Sequence, residues 1–308
     1  MLRIATRKSA LALWQARRVQ QLLGDCELLP MQTEGDRILD RSLAEAGGKG
    51  LFVKELERAL ADGRADLAVH SAKDVPFALP PEFVLSAFMT REDPRDALIA
   101  RSAKSFAGLP RNARVGTSSL RRAMQLRAAR PDLEVVAVRG NVQTRLSKAT
   151  SGELDAVVLA LAGLKRLGLD GQVTEVLPIE LSLPAAGQGA MAIETLRGSR
   201  GHEAAKTLND ADSSACVRAE RAVLERLAGG CTVPVAAFAV LEPDGIWLRA
   251  ALGGPSGETV RMLRAEARGA DPEKIGLAVA ESLLEQGGEE LLEAARTHVP
   301  GLPAPKKA

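Results

Sequence analysis

The sequence has no tyrosine, two tryptophans and six phenylalanines, so aromatic residues make up only 3% of its 308 positions. Little is left for stacking bases, and nucleic acid is not an expected partner. The three cysteines, Cys26, Cys216 and Cys231, are odd in number, far apart and outside any CxxC pair, which argues against a disulfide framework or a thiolate zinc site. Three histidines (His70, His202, His298) are too few for a histidine-built centre, so no metal is expected. An excess of one charge is also missing: 41 Lys and Arg against 39 Asp and Glu leave +2, and no global field draws the chain to nucleic acid or anionic lipid. No apolar run approaches the roughly 20 residues of a membrane span, and the N-terminus has no sustained apolar stretch after its first charges. A soluble, cytoplasmic protein with no membrane partner is expected.

What is present is an apolar content of 46% in a chain longer than one typical domain, enough for two or three cores. "LRIAT" reads as a buried strand, and the helix after it carries Ala12, Ala16, Val19 and Leu23 on one face. The alternation recurs in "LFVKELERALADG" followed by "ADLAVHS", which predicts an α/β architecture. The charged, proline-containing "REDPRD" (91–96) reads as a hinge. Beyond it, "DALIA", "ARVGTS", "EVVAV" and "DAVVLA" give strands, with helices at 119–130 and 141–151, a second α/β unit. "LPAAGQGAMAIE" (183–194) can carry the chain back across a second hinge, so that two crossings frame a cleft. After Asp210 come one long helix, three strand-like runs (233–241, 246–252, 259–267) and two helices, a smaller α+β domain. The expected limits are 1–91 with 190–209 for domain 1, 95–185 for domain 2, 212–299 for domain 3, and a flexible tail at 300–308.

Four strand ends combine cations with hydroxyl or amide groups: "IATRKS" (Arg7, Ser9), "VHSAKD" (Ser71, Lys73, Asp74), "VGTSSLRR" (Thr117, Ser118, Ser119, Arg121, Arg122) and "VRGN" (Arg139, Gly140, Asn141). Ligand crevices of open sheets lie at the carboxyl ends of parallel strands, where helix N-termini offer free N–H groups. Arg121 and Arg122 stand at a helix N-terminus, where cations are unfavourable unless an anion joins them, and a ligand is the expected anion. Arg127 and Arg130, near the other end of that helix, read as solvated surface. Arginine is the bidentate choice for carboxylate or phosphate. "AGGKGLF" lacks Walker-loop spacing, so nucleotide is not implied. Asp74 breaks the cationic pattern and is a candidate general acid or base, or stabiliser of a transient cation; an N-cap or salt bridge would place a carboxylate there equally well. Cys216 falls with Ala219, Val223 and Leu227 on an apolar helix face, a structural position. Cys231, in "GGCTVP", sits in a turn; spacing alone favours a packed small residue, because no His or Cys is local.

Taken in order, "RIATRKSALALWQA", "GGKGLFVKELERAL", "AVHSAKDVP", "REDPRDAL", "VGTSSLRR", "LRAARPDLEVVAVRGNVQTRL", "LALAGLKRLGL", "LPAAGQGA" and "GGCTVPVAA" closely resemble the porphobilinogen deaminases, or hydroxymethylbilane synthases, from residue 2 to about 298. The resemblance implies two domains like periplasmic binding proteins, joined by two hinge crossings, and a smaller third domain with a covalent dipyrromethane cofactor on Cys231. It implies a monomeric transferase of tetrapyrrole and heme biosynthesis that condenses four porphobilinogen molecules head to tail, with loss of ammonia, and hydrolyses off the linear tetrapyrrole. Asp74 matches the catalytic carboxylate. Lys73, Asp74, Thr117, Ser118, Ser119, Arg121, Arg122, Arg139, Gly140, Arg145, Gln188 and Gly189 match cofactor contacts. Arg7, Ser9, Lys49, Ser71 and Asn141 match substrate contacts. Residues 33–50 match a mobile loop over the cleft, which departs from the family pattern at Glu45, where lysine is common. The alternative is a non-catalytic two-domain binding protein for a small carboxylate, which explains the arginines but neither Asp74 nor Cys231.

Overall fold

The computed structural model describes residues 1–37, 52–227, 233–256 and 259–297. Its first elements form as the pattern requires: β1 (Leu2–Arg7) buries Ile4 and Ala5, and Ser9, in extended conformation, accepts from Ala12 N to start α1 (Ala10–Leu23). Gly24 ends that helix at φ 83°. The chain continues through β2 (Cys26–Met31), α2 (Glu34–Arg37), α3 (Lys54–Ala61), β3 (Leu67–Ser71) and β4 (Phe83–Phe88). β1 lies between β2 and β3, parallel to both.

Residues 89–95 cross to a second sheet, built from β5 (Asp96–Ala100), β6 (Arg114–Gly116), β7 (Glu134–Val136), β8 (Ala156–Ala160) and β9 (Glu175–Val176) in the order β7-β6-β8-β5-β9. Three helices connect them: α4 (Leu120–Ala129), capped by Ser119; α5 (Val142–Thr150), capped by Asn141; and α6 (Leu161–Arg166). A second crossing returns the chain as β10 (Met191–Leu196), which completes the first sheet in the order β2-β1-β3-β10-β4. The two sheets share one design. Each has three parallel strands, and in each the antiparallel strand beside them, β5 or β10, is the one that arrives from a crossing. The carboxyl ends of β1, β3 and β6 therefore lie near the segments that join the lobes.

After α7 (Arg200–Lys206), the long helix α8 (Ala211–Arg226) leads to an antiparallel sheet of β11 (Val235–Glu242), β12 (Gly245–Ser256) and β13 (Thr259–Gly269). One face of this sheet packs on α8 and on α9 (Pro272–Glu285), with α10 (Gly288–Thr297) beyond. Cys216, Ala219, Val223 and Leu227 all lie in that core, as the spacing predicts. The molecule is thus α/β in its two lobes, with a smaller α+β unit at the C-terminal end.

Candidate active site

Strand ends of the first lobe meet in one cavity, whose lining includes Arg7, Ser9, Gln15, Phe52, Ser71 and Asp74. Ser71 Oγ accepts from Gln15 Nε2 at 2.9 Å, and Ser9 is the cap of α1. Arg7 already has an anion: its Nε lies 3.2 Å from each Asp36 oxygen, its Nη2 donates to the same carboxylate, and its guanidinium stacks on Phe52 at 4.1 Å. Burial would raise the Asp36 carboxyl, but the bonds from Arg7 and Thr33 hold it below its usual value. Asp74 ends the short turn Ala72–Asp74, half-buried, and its carboxylate makes no hydrogen bond or ion pair among the described residues. It is neither an N-cap nor half of a salt bridge there.

The second lobe brings Arg121 and Arg122 to the opposite side, but not as free ligand contacts. Both are buried, and both bond one fully buried carboxylate, Asp96: Arg121 Nη1 at 2.8 Å to Oδ2, Arg122 Nη2 at 2.7 Å to Oδ1. The anion that the helix N-terminus demanded is, in the first instance, a residue of the chain itself. Burial alone would raise the Asp96 carboxyl; the two guanidiniums hold it far below the usual carboxylate range. Gln188 joins the cluster, donating to Pro94 O (2.6 Å) and Asp96 Oδ1 (2.8 Å) while its Oε1 accepts from Lys73 Nζ (3.2 Å) and Arg122 (3.4 Å). Because Lys73 belongs to the first lobe and Asp96 to the second, Gln188 ties the two together.

Burial, with Arg122 beside it, pushes the Lys73 ammonium down to about 8, against the pull of Asp74 and Asp96. Burial and Arg122 likewise push Arg145 down to about 10, again against Asp74, so Asp74 faces cations from both lobes. Arg145 Nε donates to Gly140 O at 2.9 Å, and Gly140 takes φ 101°, a conformation that favours glycine. Burial also lowers the Arg139 guanidinium. Thr117 is buried and accepts from Ser119 N at 3.2 Å; Ser118 Oγ donates to Val138 O; Asn141 Oδ1 is used as the cap of α5, accepting from Thr144 N at 2.9 Å. Gly189, at φ 92°, packs so close to the Glu92 carbonyl that a Cβ would fall 2.3 Å from it. Lys49, Glu45 and Cys231 lie outside the described residues.

Four cations (Lys73, Arg121, Arg122, Arg145) thus face two carboxylates (Asp74, Asp96), and the Nε of Arg121 is buried without a hydrogen-bond partner among the described residues. That excess of positive charge fits a group that carries several carboxylates. Two checks follow. In the Cys231→Ser protein, acylation of the Lys73 amine, read by peptide mass spectrometry, should rise through about pH 8, since only the neutral amine reacts; a rise that begins two units higher contradicts the assignment. Asp96→Asn leaves two buried guanidiniums without their anion and should cost about 3 to 5 kcal/mol, seen as a lower denaturant midpoint; an unchanged midpoint would return both arginines to ligand duty alone.

Several residues of the site carried no local signal. Asp96 was hidden in the hinge motif. Arg166 donates to Gly189 O at 2.6 Å and stacks 5.7 Å from the Trp14 ring across the lobes. Glu220 of α8, fully buried, accepts from Arg91 (2.5 Å), Gly187 N (2.7 Å) and Ala239 N (2.8 Å), so one carboxylate binds both crossings to the third unit. Arg130 corrects the expectation of solvated surface: it bonds Asp132 and donates to Phe106, Ala107, Leu109 and Pro110 carbonyls, fastening the 106–110 loop.

Fold and site together describe a two-lobed α/β protein whose cleft gathers more cations than carboxylates, one of which, Asp74, is unpaired among the described residues. Residues 2–204 match the family model "porphobilinogen deaminase, dipyromethane cofactor binding domain", and residues 214–285 match "porphobilinogen deaminase, C-terminal domain". The chain belongs to the porphobilinogen deaminase family, transferases of tetrapyrrole biosynthesis with a dipyrromethane cofactor. Among solved structures it is similar to protein PG110 from Staphylococcus aureus (13% identity, 72% of this chain and 91% of that one, TM-score 0.42). Others are a TRAP periplasmic solute binding protein from Desulfovibrio salexigens (12%, 68% and 72%, 0.38) and the BvgS periplasmic domain of B. pertussis (18%, 67% and 39%, 0.38). These likenesses are distant, and the family assignment rests on the two family matches.

Proposed function

We propose that the chain condenses four porphobilinogen molecules head to tail, with loss of one ammonia at each addition, on a dipyrromethane primer held as a thioether by Cys231, and then hydrolyses off hydroxymethylbilane. When bound, the dipyrromethane supplies the pyrrole carbon that is extended and remains with the enzyme afterwards. The observation that carries the reading is Asp74: a carboxylate without a partner among the described residues, beside Lys73 and opposite Arg145. In its protonated form Asp74 gives a proton to the departing amine of porphobilinogen; as the anion it stabilises the substrate cation that results and takes up the proton lost when the new carbon–carbon bond forms. Lys73, Arg145, Arg139 and the Arg121 N–H that has no partner among the described residues hold acetate and propionate side chains, while Arg122 and Asp96 keep that wall in place. Gln188 and Gly189, at the second crossing, join the lobes where a lengthening product requires adjustment. A non-catalytic carboxylate receptor has no use for an unpaired carboxylate among its cations, which repels its ligand. Intact-mass measurement of the purified protein should show an adduct of two pyrrole units; active protein at the bare polypeptide mass would defeat the proposal.

A further inference from the structure

Helix α8 reaches back towards the site at two adjacent residues. Glu220 takes hold of the crossings; Arg221 turns to the first lobe, where Nη1 donates to Val75 O at 3.2 Å and Nη2 to Pro76 O at 2.6 Å and Phe77 O at 3.0 Å. These carbonyls follow Asp74 directly. They belong to "VPFALPPE", whose prolines keep it out of the sheet, and the next strand begins only at Phe83. Carbonyls withdrawn from water need donors, and a planar guanidinium with five N–H groups can serve three at once. Burial pushes Arg221 down to about 10, with Glu225 and Glu194 holding it up, so it is charged at neutral pH. The opposite side of the same turn is also fixed: Ala72 N donates to Ala190 O at 3.0 Å, and Gly187 lies so close that a Cβ would fall 2.9 Å from Ala72 Cβ. The Ala72–Asp74 turn is clamped between the second crossing and α8.

We propose that Arg221 is a positioning residue for the reaction: by fastening the carbonyls of residues 75–77 to α8, it sets where the Asp74 carboxylate stands. This rests on the reading of Asp74 as the acid–base group. In sequence, α8 ends at Arg226, shortly before the proposed anchor Cys231.

The test uses the cofactor-bearing protein. Arg221→Met keeps the stem and removes the donors; Arg221→Lys restores a cation with fewer, less directed bonds. Expected for Arg221→Met are an intact two-pyrrole adduct, faster amide exchange in the peptide spanning 72–79, KM within about threefold and kcat lower by about ten- to a hundredfold, as misplacement of a reacting group produces. Arg221→Lys should recover part of kcat, and it carries the test if the methionine variant does not fold. In an Asp74→Asn background, Arg221→Met should add no further loss of kcat, since it acts through Asp74. Wild-type kcat in Arg221→Met, an equal loss in the Asp74→Asn background, or a loss proportional to missing adduct each overturn the proposal. If Asp74→Asn itself turned over normally, the reading of Asp74 would fail instead, a different outcome from an inactive Asp74→Asn beside a fully active Arg221→Met.

Discussion

Replacing Cys231 with serine will yield protein at the bare polypeptide mass and without turnover, whereas Cys216→Ser will keep both adduct and activity. A serine hydroxyl at neutral pH is a far weaker nucleophile than a thiol, and no other anchor is proposed. The other cysteines are excluded by their surroundings. Cys216 is 6% exposed in the core between α8 and the third sheet, and burial, then Glu220, pushes its thiol up to about 11, the wrong direction for a nucleophile. Cys26 sits in β2, and burial followed by Asp25 raises its thiol as well. Intact mass decides: a two-pyrrole adduct that survives Cys231→Ser, with product still formed, would remove the anchor from that residue.

The elements that could be read from sequence were those whose signal is local. Ser9 and the Ala12, Ala16, Val19 spacing define α1, Ser119 and Asn141 cap the helices that follow them, and Cys216 falls on the apolar stripe of α8. Strands β2 and β4 escaped because each lies at an edge of the first sheet; β2 even contains Pro30, tolerated where one side of the strand needs no partner. At the site, the recurrence of cations at strand ends was legible, since helix N-termini and strand ends are local features. Their pairing was not visible. Arg122 meets Asp96 across 26 residues and Arg7 meets Asp36 across 29, each through tertiary packing that no spacing rule encodes. The same holds for α8, where Glu220 and Arg221 look like an ordinary solvated pair in "RAERAV" but reach 129 and 146 residues back, to Arg91 and Val75. Charges of one sign announce a site; the opposite charges that hold it in shape do not.

Asp74→Asn should retain the two-pyrrole adduct when supplied with preassembled tetrapyrrole, yet lose turnover by about 10²- to 10⁴-fold, the range for removal of a general acid–base group. The amide keeps the size and the half-buried position at the end of the Ala72–Asp74 turn, and no hydrogen bond among the described residues is broken. A fold defect is therefore not expected, and the melting temperature should be nearly unchanged. What disappears is the charge. In the proposed reaction, loss of ammonia from porphobilinogen leaves a cation in a cleft already crowded by Lys73, Arg121, Arg122 and Arg145, with Asp96 committed to its own two arginines. Among the described residues beside those cations, Asp74 is the carboxylate left to oppose it, and in low dielectric its removal should count for far more than it would in water. Asp74→Glu restores the charge one methylene further out and should recover only part of the rate, because the turn that sets its position is clamped and cannot follow. Single-turnover mass spectrometry of enzyme-bound chains separates the cases: successive pyrroles added by Asp74→Asn at the wild-type rate would mean that the carboxylate has no part in the chemistry.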